Sequence, residues 1–220
     1  MSPPDYKSAW DAAASANAQD AVLTLSSRDY FEWTGERDAQ RVRKYAGGET
    51  AALSLGCGIG RVESFLAPHV KKLWAIDVSA AMIEQARQRL APFSNVHFRE
   101  VGNADFLDSF EPATFDVVYS FLMLQHLERE DAARYMRDAH RVLRRDGVLV
   151  AQFPNYLAPE YSKVLLDDVG PGQRSPARVR AYTESEVRHS LQLLNFEISD
   201  LSLEWGKEGN AEIYVAARSR

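Results

Sequence analysis

The sequence predicts a doubly wound α/β fold: a mainly parallel seven-stranded sheet with helices on both faces, a helical cap in front and an antiparallel hairpin at the end. Three observations predict it. Apolar runs at 51–55, before Asp77, at 96–101, 115–119 and 148–153 alternate with stretches of helical periodicity, the pattern of strands joined by right-handed crossovers. A glycine-rich turn at Gly56, Gly58 and Gly60 separates the first run from the helix behind it. The last two runs, 196–205 and 211–217, are joined by a short turn at 206–210, which only antiparallel strands can use.

Composition bounds the answer. A chain of 220 residues with 45% hydrophobic content fits one α/β domain with a modest extension. We divide it into a cap or lid at 1–46 and a main domain at 47–220. The net charge of −5 and pI near 5.6 argue against a broad phosphate-binding surface, so nucleic acid is not expected as a partner. The single cysteine, Cys57, rules out an intrachain disulfide and suits a reducing compartment. No targeting pattern is visible and no run approaches the ~18 apolar residues of a membrane span. A soluble, cytoplasmic protein with no membrane association is therefore expected, with monomer and homodimer both open.

Taken in order, the cap offers a weak apolar face in Trp10, Ala14, Val22 and Leu23. Ser26 or Ser27 then caps a short turn carrying Tyr30, Phe31 and Trp33, and Thr34 caps a helix over 35–46 that ends at Gly47-Gly48. The aromatics either pack on the sheet or close over a ligand and exclude water. After the strand at 51–55 the glycine turn lets the chain bend sharply and lets a ligand approach its backbone. Cys57 fills a position in that turn where a small residue is wanted. A helix from about Arg61 directs its amides toward whatever lies over the turn. Asp77 closes the next strand, where a carboxylate can accept both hydrogen bonds of a ribose diol. Arg61 stands where a dinucleotide fingerprint wants glycine or alanine, so a pyrophosphate ligand is disfavoured.

The run LSLGCGIGR followed by WAIDVSAAMIEQAR resembles the first two motifs of the class I S-adenosylmethionine-dependent methyltransferases. The resemblance covers the chain from about Ala46 onward and implies the strand order 3-2-1-4-5-7-6, with strand 7 antiparallel. It also implies a cofactor, S-adenosylmethionine, and a product, S-adenosylhomocysteine. By the same resemblance Gly56, Cys57, Gly58 and Gly60 hold the methionine part, Asp77 holds the ribose, and Val78 and Met82 rest on the adenine. Asn103, with Ala104 beside it and Asp105 as a substitute, would meet the adenine edge, and Arg37 resembles an arginine that reaches the cofactor carboxylate. One departure stands out: the family usually has an acid where this chain has Ser54.

Beyond Asp77, Ser79 caps a helix to about Ala91, and a strand at 96–101 ends in the Gly102–Asp105 turn. The segment after the strand at 115–119 leaves the sheet at its ligand edge, so Phe121 would wall the cofactor. His126 follows it, as a general base near the acceptor or as a structural residue. A helix over 130–143 and a strand at 148–153 lead into an irregular insertion, 155–182, expected to form the acceptor-site wall. Tyr156 and Tyr161 from that insertion, with Trp10 from the cap, are the candidate substrate contacts. Thr183 and Glu186 form a capping box before the final hairpin. No cluster of histidine, cysteine and acids has metal-ligand spacing, so no metal is expected.

The implied function is methyl transfer to an oxygen, nitrogen or carbon of a small molecule. Two rivals stay open. A nicotinamide-dependent oxidoreductase shares the first βαβ unit but is disfavoured by Arg61 and the terminal hairpin. A catalytically silent cofactor-binding module of the same fold is the other, raised by Ser54.

Overall fold

The computed structural model describes residues 5–23, 26–102, 107–167, 178–205 and 209–220. Among them one sheet carries the fold: β1 (Ala51–Leu55), β2 (Lys72–Asp77), β3 (Val96–Glu100), β4 (Phe115–Ser120), β5 (Leu143–Pro154), β6 (Phe196–Glu204) and β7 (Glu212–Ser219). The order is β3-β2-β1-β4-β5-β7-β6. β7 is antiparallel to both neighbours and the other pairings are parallel, as expected. Side chains alternate between two apolar layers. Leu53, Val118, Leu149 and Val215 face one, whereas Ala52, Val117, Val150 and Tyr214 face the other. Burial on both faces is what helices on both sides of a parallel sheet produce.

Helices α1 (Tyr6–Val22) and α2 (Arg28–Arg43) precede the sheet. α2 starts earlier than the sequence implies, because Ser27 Oγ accepts from the Tyr30 amide at 3.2 Å and caps it there. Thr34 is buried inside this helix and donates to the Phe31 carbonyl at 2.9 Å instead of capping. Gly35 is a contact residue, since a Cβ there would stand 2.5 Å from the Arg61 carbonyl oxygen. α1 is broken at Asn17, whose backbone is extended at φ −163° and whose Oδ1 accepts from the Asp20 amide at 3.2 Å. The second half of α1 thus has its own cap.

The helix expected after the glycine turn is short: α3 (Glu63–Leu66), followed by a tight turn at Ala67–His69. Four residues sum only a small dipole, so the loop's own amides matter more here than a helix terminus. Ser79 caps α4 (Ala80–Arg89) by accepting from the Met82 amide at 3.1 Å. α5 (Arg129–Val142) runs directly into β5, which begins at Leu143 and is longer than expected. The insertion is not wholly irregular, because α6 (Pro159–Asp167) forms within it. The capping box of Thr183 and Glu186 opens α7 (Glu184–Leu193), with both reciprocal bonds made.

α1 is tied across the edge of the sheet. Asp11 Oδ1 accepts from Ser79 Oγ at 2.6 Å and from the Ala81 amide at 3.3 Å. Tyr6 Oη donates to Asp131 at 2.9 Å and accepts from the Glu128 amide at 2.8 Å. Ala14 and Ala18 pack on Met82.

Candidate functional site

The first of two adjoining cavities lies over the glycine turn. It encloses about 960 Å³ counted out to its open mouth. Gly56 and Gly58 have φ of 72° and 52°, the left-handed region that side chains avoid. Space is equally restrictive: a Cβ on Gly56 would fall 2.3 Å from Met123, and one on Gly58 would reach Val22 of α1 at 3.0 Å. The turn is pulled over β2 by the Gly56 and Cys57 amides, both 2.9 Å from the Ile76 carbonyl. Cys57 is buried, and burial pushes its thiol well above the usual range, which makes it inert packing.

At one end of this cleft stands Asp77. Its Oδ2 accepts from the Gly58 amide and its Oδ1 from the Ser79 amide, each at 2.9 Å. The carboxylate is fixed in place, and each oxygen keeps a lone pair for another donor. Burial raises its pKa and these amides oppose the rise. Val78, Met82, Val101 and Gly102 continue the wall on this side.

Under the glycine turn is a second carboxylate that the sequence reading did not single out. Glu63 Oε1 accepts from Ser54 Oγ at 2.6 Å and from Tyr119 Oη at 2.9 Å. Its Oε2 is buried without a partner. Burial pushes this carboxyl up, while the Ser54 and Tyr119 hydroxyls pull it down. Ser54, Glu63 and Tyr119 all line the cleft. The opposite side is formed by Tyr6 and Trp10 of α1 with Phe121, Met123 and His126. Trp10 meets the His126 ring edge-on at 4.9 Å, and His126 Nε2 lies 3.1 Å from Gln125 Nε2.

The second cavity, about 780 Å³ by the same measure, shares Arg61, Phe121 and Leu122 with the first. Arg61 is 3% exposed and donates to Asp38 at 2.8 Å. Asp38 also accepts from Arg37 at 3.1 Å, and Arg37 donates to Tyr214 Oη at 2.9 Å while its guanidinium lies 3.8 Å from the Trp205 ring centre. Tyr30, Tyr161, Trp205 and Tyr214 make the wall aromatic. Glu212 stands among them, accepting from Tyr161 Oη and from the Gln152 side-chain amide. Burial raises its pKa to about 7 against the pull of both donors.

This geometry agrees with what the chain is similar to. Residues 52–147 match the family described as Methyltransferase domain. A protein named probable S-adenosylmethionine-dependent methyltransferase, from Mycolicibacterium smegmatis, is 24% identical over 199 residues, covering 89% of this chain and 70% of that protein. The chain spans 37% to 70% of the lengths of the first curated relatives it matches. Magnesium protoporphyrin IX methyltransferase from Synechocystis, solved with S-adenosylhomocysteine, aligns with a TM-score of 0.74 at 16% identity over 97% of this chain and 98% of that one. The 1,6-didemethyltoxoflavin-N1-methyltransferase of Burkholderia thailandensis, solved with its acceptor and S-adenosylhomocysteine, aligns at 0.70 and 18% identity over 100% and 91%. At such identities the two structures show a shared fold. Residues 52–147 carry a methyltransferase domain, and the fold around them is the one these S-adenosylhomocysteine-bound methyltransferases share.

The site residues predicted from sequence divide between the cavities. Gly56, Cys57, Gly58, Asp77, Val78, Met82, Phe121, His126 and Trp10 line the first. Gly60 completes the turn but packs on Leu90. Arg37 and Tyr161 line the second cavity, and Tyr156 is 38% exposed and lines neither. Asn103, Ala104 and Asp105 lie outside the described residues. Glu63, Asp38 as the partner of Arg61, and Glu212 are what sequence reasoning missed. Ser54 was the available signal for Glu63, because a position emptied of its usual charge invites a search for a nearby replacement.

Proposed function

We propose that the chain moves a methyl group from S-adenosylmethionine to an oxygen, nitrogen or carbon of a small molecule, leaving S-adenosylhomocysteine. One observation carries this reading: the first cleft has a clamped carboxylate, Asp77, at one end and a carboxyl with an unpartnered oxygen, Glu63, under the glycine turn. A ribose diol fits the first and an ammonium group fits the second. Glu63 would then supply, from α3, the charge that the family usually places where Ser54 stands.

When bound, the cofactor supplies a methyl group on a positively charged sulfur, already activated for displacement. The chain's own residues position and dry the site. Asp77 accepts the ribose hydroxyls, Val78 and Met82 cover the adenine, and Asn103 with Ala104 or Asp105 meets its edge. Tyr6 and Trp10 act as a lid held down by the bonds of Asp11 and Tyr6. His126, set against Trp10, completes the wall and orients it. The net charge of −5 supports a small-molecule acceptor over nucleic acid, and the cytoplasm is the proposed location. Among the described residues no helix is long and apolar enough to cross a membrane, and no group of acids, histidines and cysteine could hold a metal.

Titration calorimetry with S-adenosylhomocysteine tests the reading. Binding is expected, and Glu63→Gln, which removes the carboxyl charge facing the ammonium, should weaken it about 10- to 100-fold. No binding heat, together with no S-adenosylhomocysteine formed from S-adenosylmethionine over a broad acceptor panel, would refute it. A fluorescence titration showing tighter binding of NADH would favour the oxidoreductase instead.

A further inference from the structure

We propose that Glu212 is the base of the reaction and that the second cavity selects acceptors that are flat rings carrying a proton on the reacting oxygen or nitrogen. This rests on the methyl-transfer reading above.

Topology places Glu212 at the chemistry. β7 runs antiparallel, so its first residue lies at the carboxyl end of its neighbour, with Glu212 paired to Pro154. That edge is where open α/β sheets bind ligands, and the cavity there shares its wall with the cofactor cleft through Phe121 and Leu122. Tyr30, Phe121, Tyr161, Trp205 and Tyr214 offer ring edges and faces that suit a flat aromatic guest. Leu122 and Trp205 hold backbone φ of 59° and 69°, costly for bulky side chains. Such strain gathers at ligand sites.

The carboxylate is presented, not merely present. Tyr161 Oη takes one oxygen and the Gln152 amide the other, which leaves one acceptor position on each. Gln152 in turn accepts from the Leu122 amide at 2.9 Å, so one network fixes both the base and the wall between the cavities. The other charged residues lining the cavity are Arg37, Asp38, Arg61 and Glu160. Asp38 is committed to Arg61 and Arg37. Glu204 of β6 pairs directly with Glu212 but is neutralised by Arg41. Arg37 is near enough to oppose the upward push of burial, which nonetheless leaves Glu212 at about 7, the range in which a carboxylate can take a proton at neutral pH. In the transfer, the acceptor's lone pair forms the bond to the methyl carbon as the donor's C–S bond breaks with its electrons left on sulfur. The acceptor's proton passes to Glu212 and then to solvent.

The probes are 2-naphthol and 2-naphthylamine, with 2-methoxynaphthalene and N,N-dimethyl-2-naphthylamine as matched rings lacking that proton. Mass spectrometry reads the methylated product after incubation of the full chain with S-adenosylmethionine. We expect transfer to at least one protonated ring and to neither matched ring. Glu212→Gln should lower kcat about 10²- to 10⁴-fold while S-adenosylhomocysteine affinity stays within about 3-fold, a readout that also reports an intact fold. Should that variant fail to fold, Tyr161→Phe serves: losing its hydrogen bond moves the rising limb of the pH–rate profile to higher pH. Product from neither protonated ring in a chain that binds S-adenosylhomocysteine overturns the proposal, as does an unchanged rate in Glu212→Gln or an unmoved limb in Tyr161→Phe. Absence of S-adenosylhomocysteine binding by the wild type removes instead the methyl-transfer reading beneath it.

Discussion

The two cavities are assembled in opposite ways. Most of the polar chemistry of the first comes from one stretch, residues 54–82, where two strands, a turn and two helices set Ser54, Glu63 and Asp77 close together. The second draws Arg37 from α2, Gln152 from β5, Tyr161 from α6, Trp205 from the end of β6 and Glu212 from β7. A site built within one supersecondary unit keeps its shape when distant elements shift. A site gathered from many elements keeps its shape only while all of them stay packed, and it can be altered from any of them.

Asp38→Ala is the most severe way to break this contrast, because Arg61 belongs to both walls. Removing one partner of a buried ion pair leaves the other charge uncompensated, and we expect a loss of about 3–5 kcal/mol in urea unfolding. Next comes the pH signature that Glu212 adds in the second cavity. Below about pH 4.5 Glu212 is neutral whether folded or not. Between there and about pH 7 the unfolded chain loses a proton that the folded chain keeps, so native stability falls, by about 3 kcal/mol in all. Glu212→Gln removes that decline, and unfolding curves at pH 5, 6, 7 and 8 should show its advantage over wild type growing to pH 7 and then levelling. Asp77→Ala acts in the first cavity alone. It should weaken S-adenosylhomocysteine on the order of 100-fold by calorimetry, with quenching of Trp205 fluorescence by 2-naphthol unchanged. The smallest effect is expected at Asn17→Ala, which removes the cap inside α1 at a cost of about 1 kcal/mol. Amide hydrogen exchange at 18–22 should quicken roughly 5-fold, with the second cavity unaffected.

The same contrast explains what could be read before the structure. Sheet order, hairpin, the Ser79 cap and the Thr183–Glu186 box follow from local pattern and family likeness, and Asp77 follows from its place after a strand. Contacts between distant segments carry no such trace. Gly35 looked like the start of a helix, yet its reason is the Arg61 carbonyl it lies against. Arg61 was read as a bulky residue against a dinucleotide, without sight of Asp38, 23 residues earlier in the chain. Glu212 opens an apolar strand and looks like a strand-end charge. Only the antiparallel pairing with β5 shows that it points chemistry to the ligand edge.

Arg61 has one more consequence. Since it forms part of both walls and is braced by Asp38 of α2, the two guests are not energetically independent if either one displaces it. Thermodynamic reciprocity then fixes the relation: whatever factor the first guest applies to the affinity of the second, the second must apply to the first. A single buried strut would make the order of loading a matter of kinetics alone, while the coupling measured in either direction comes out the same.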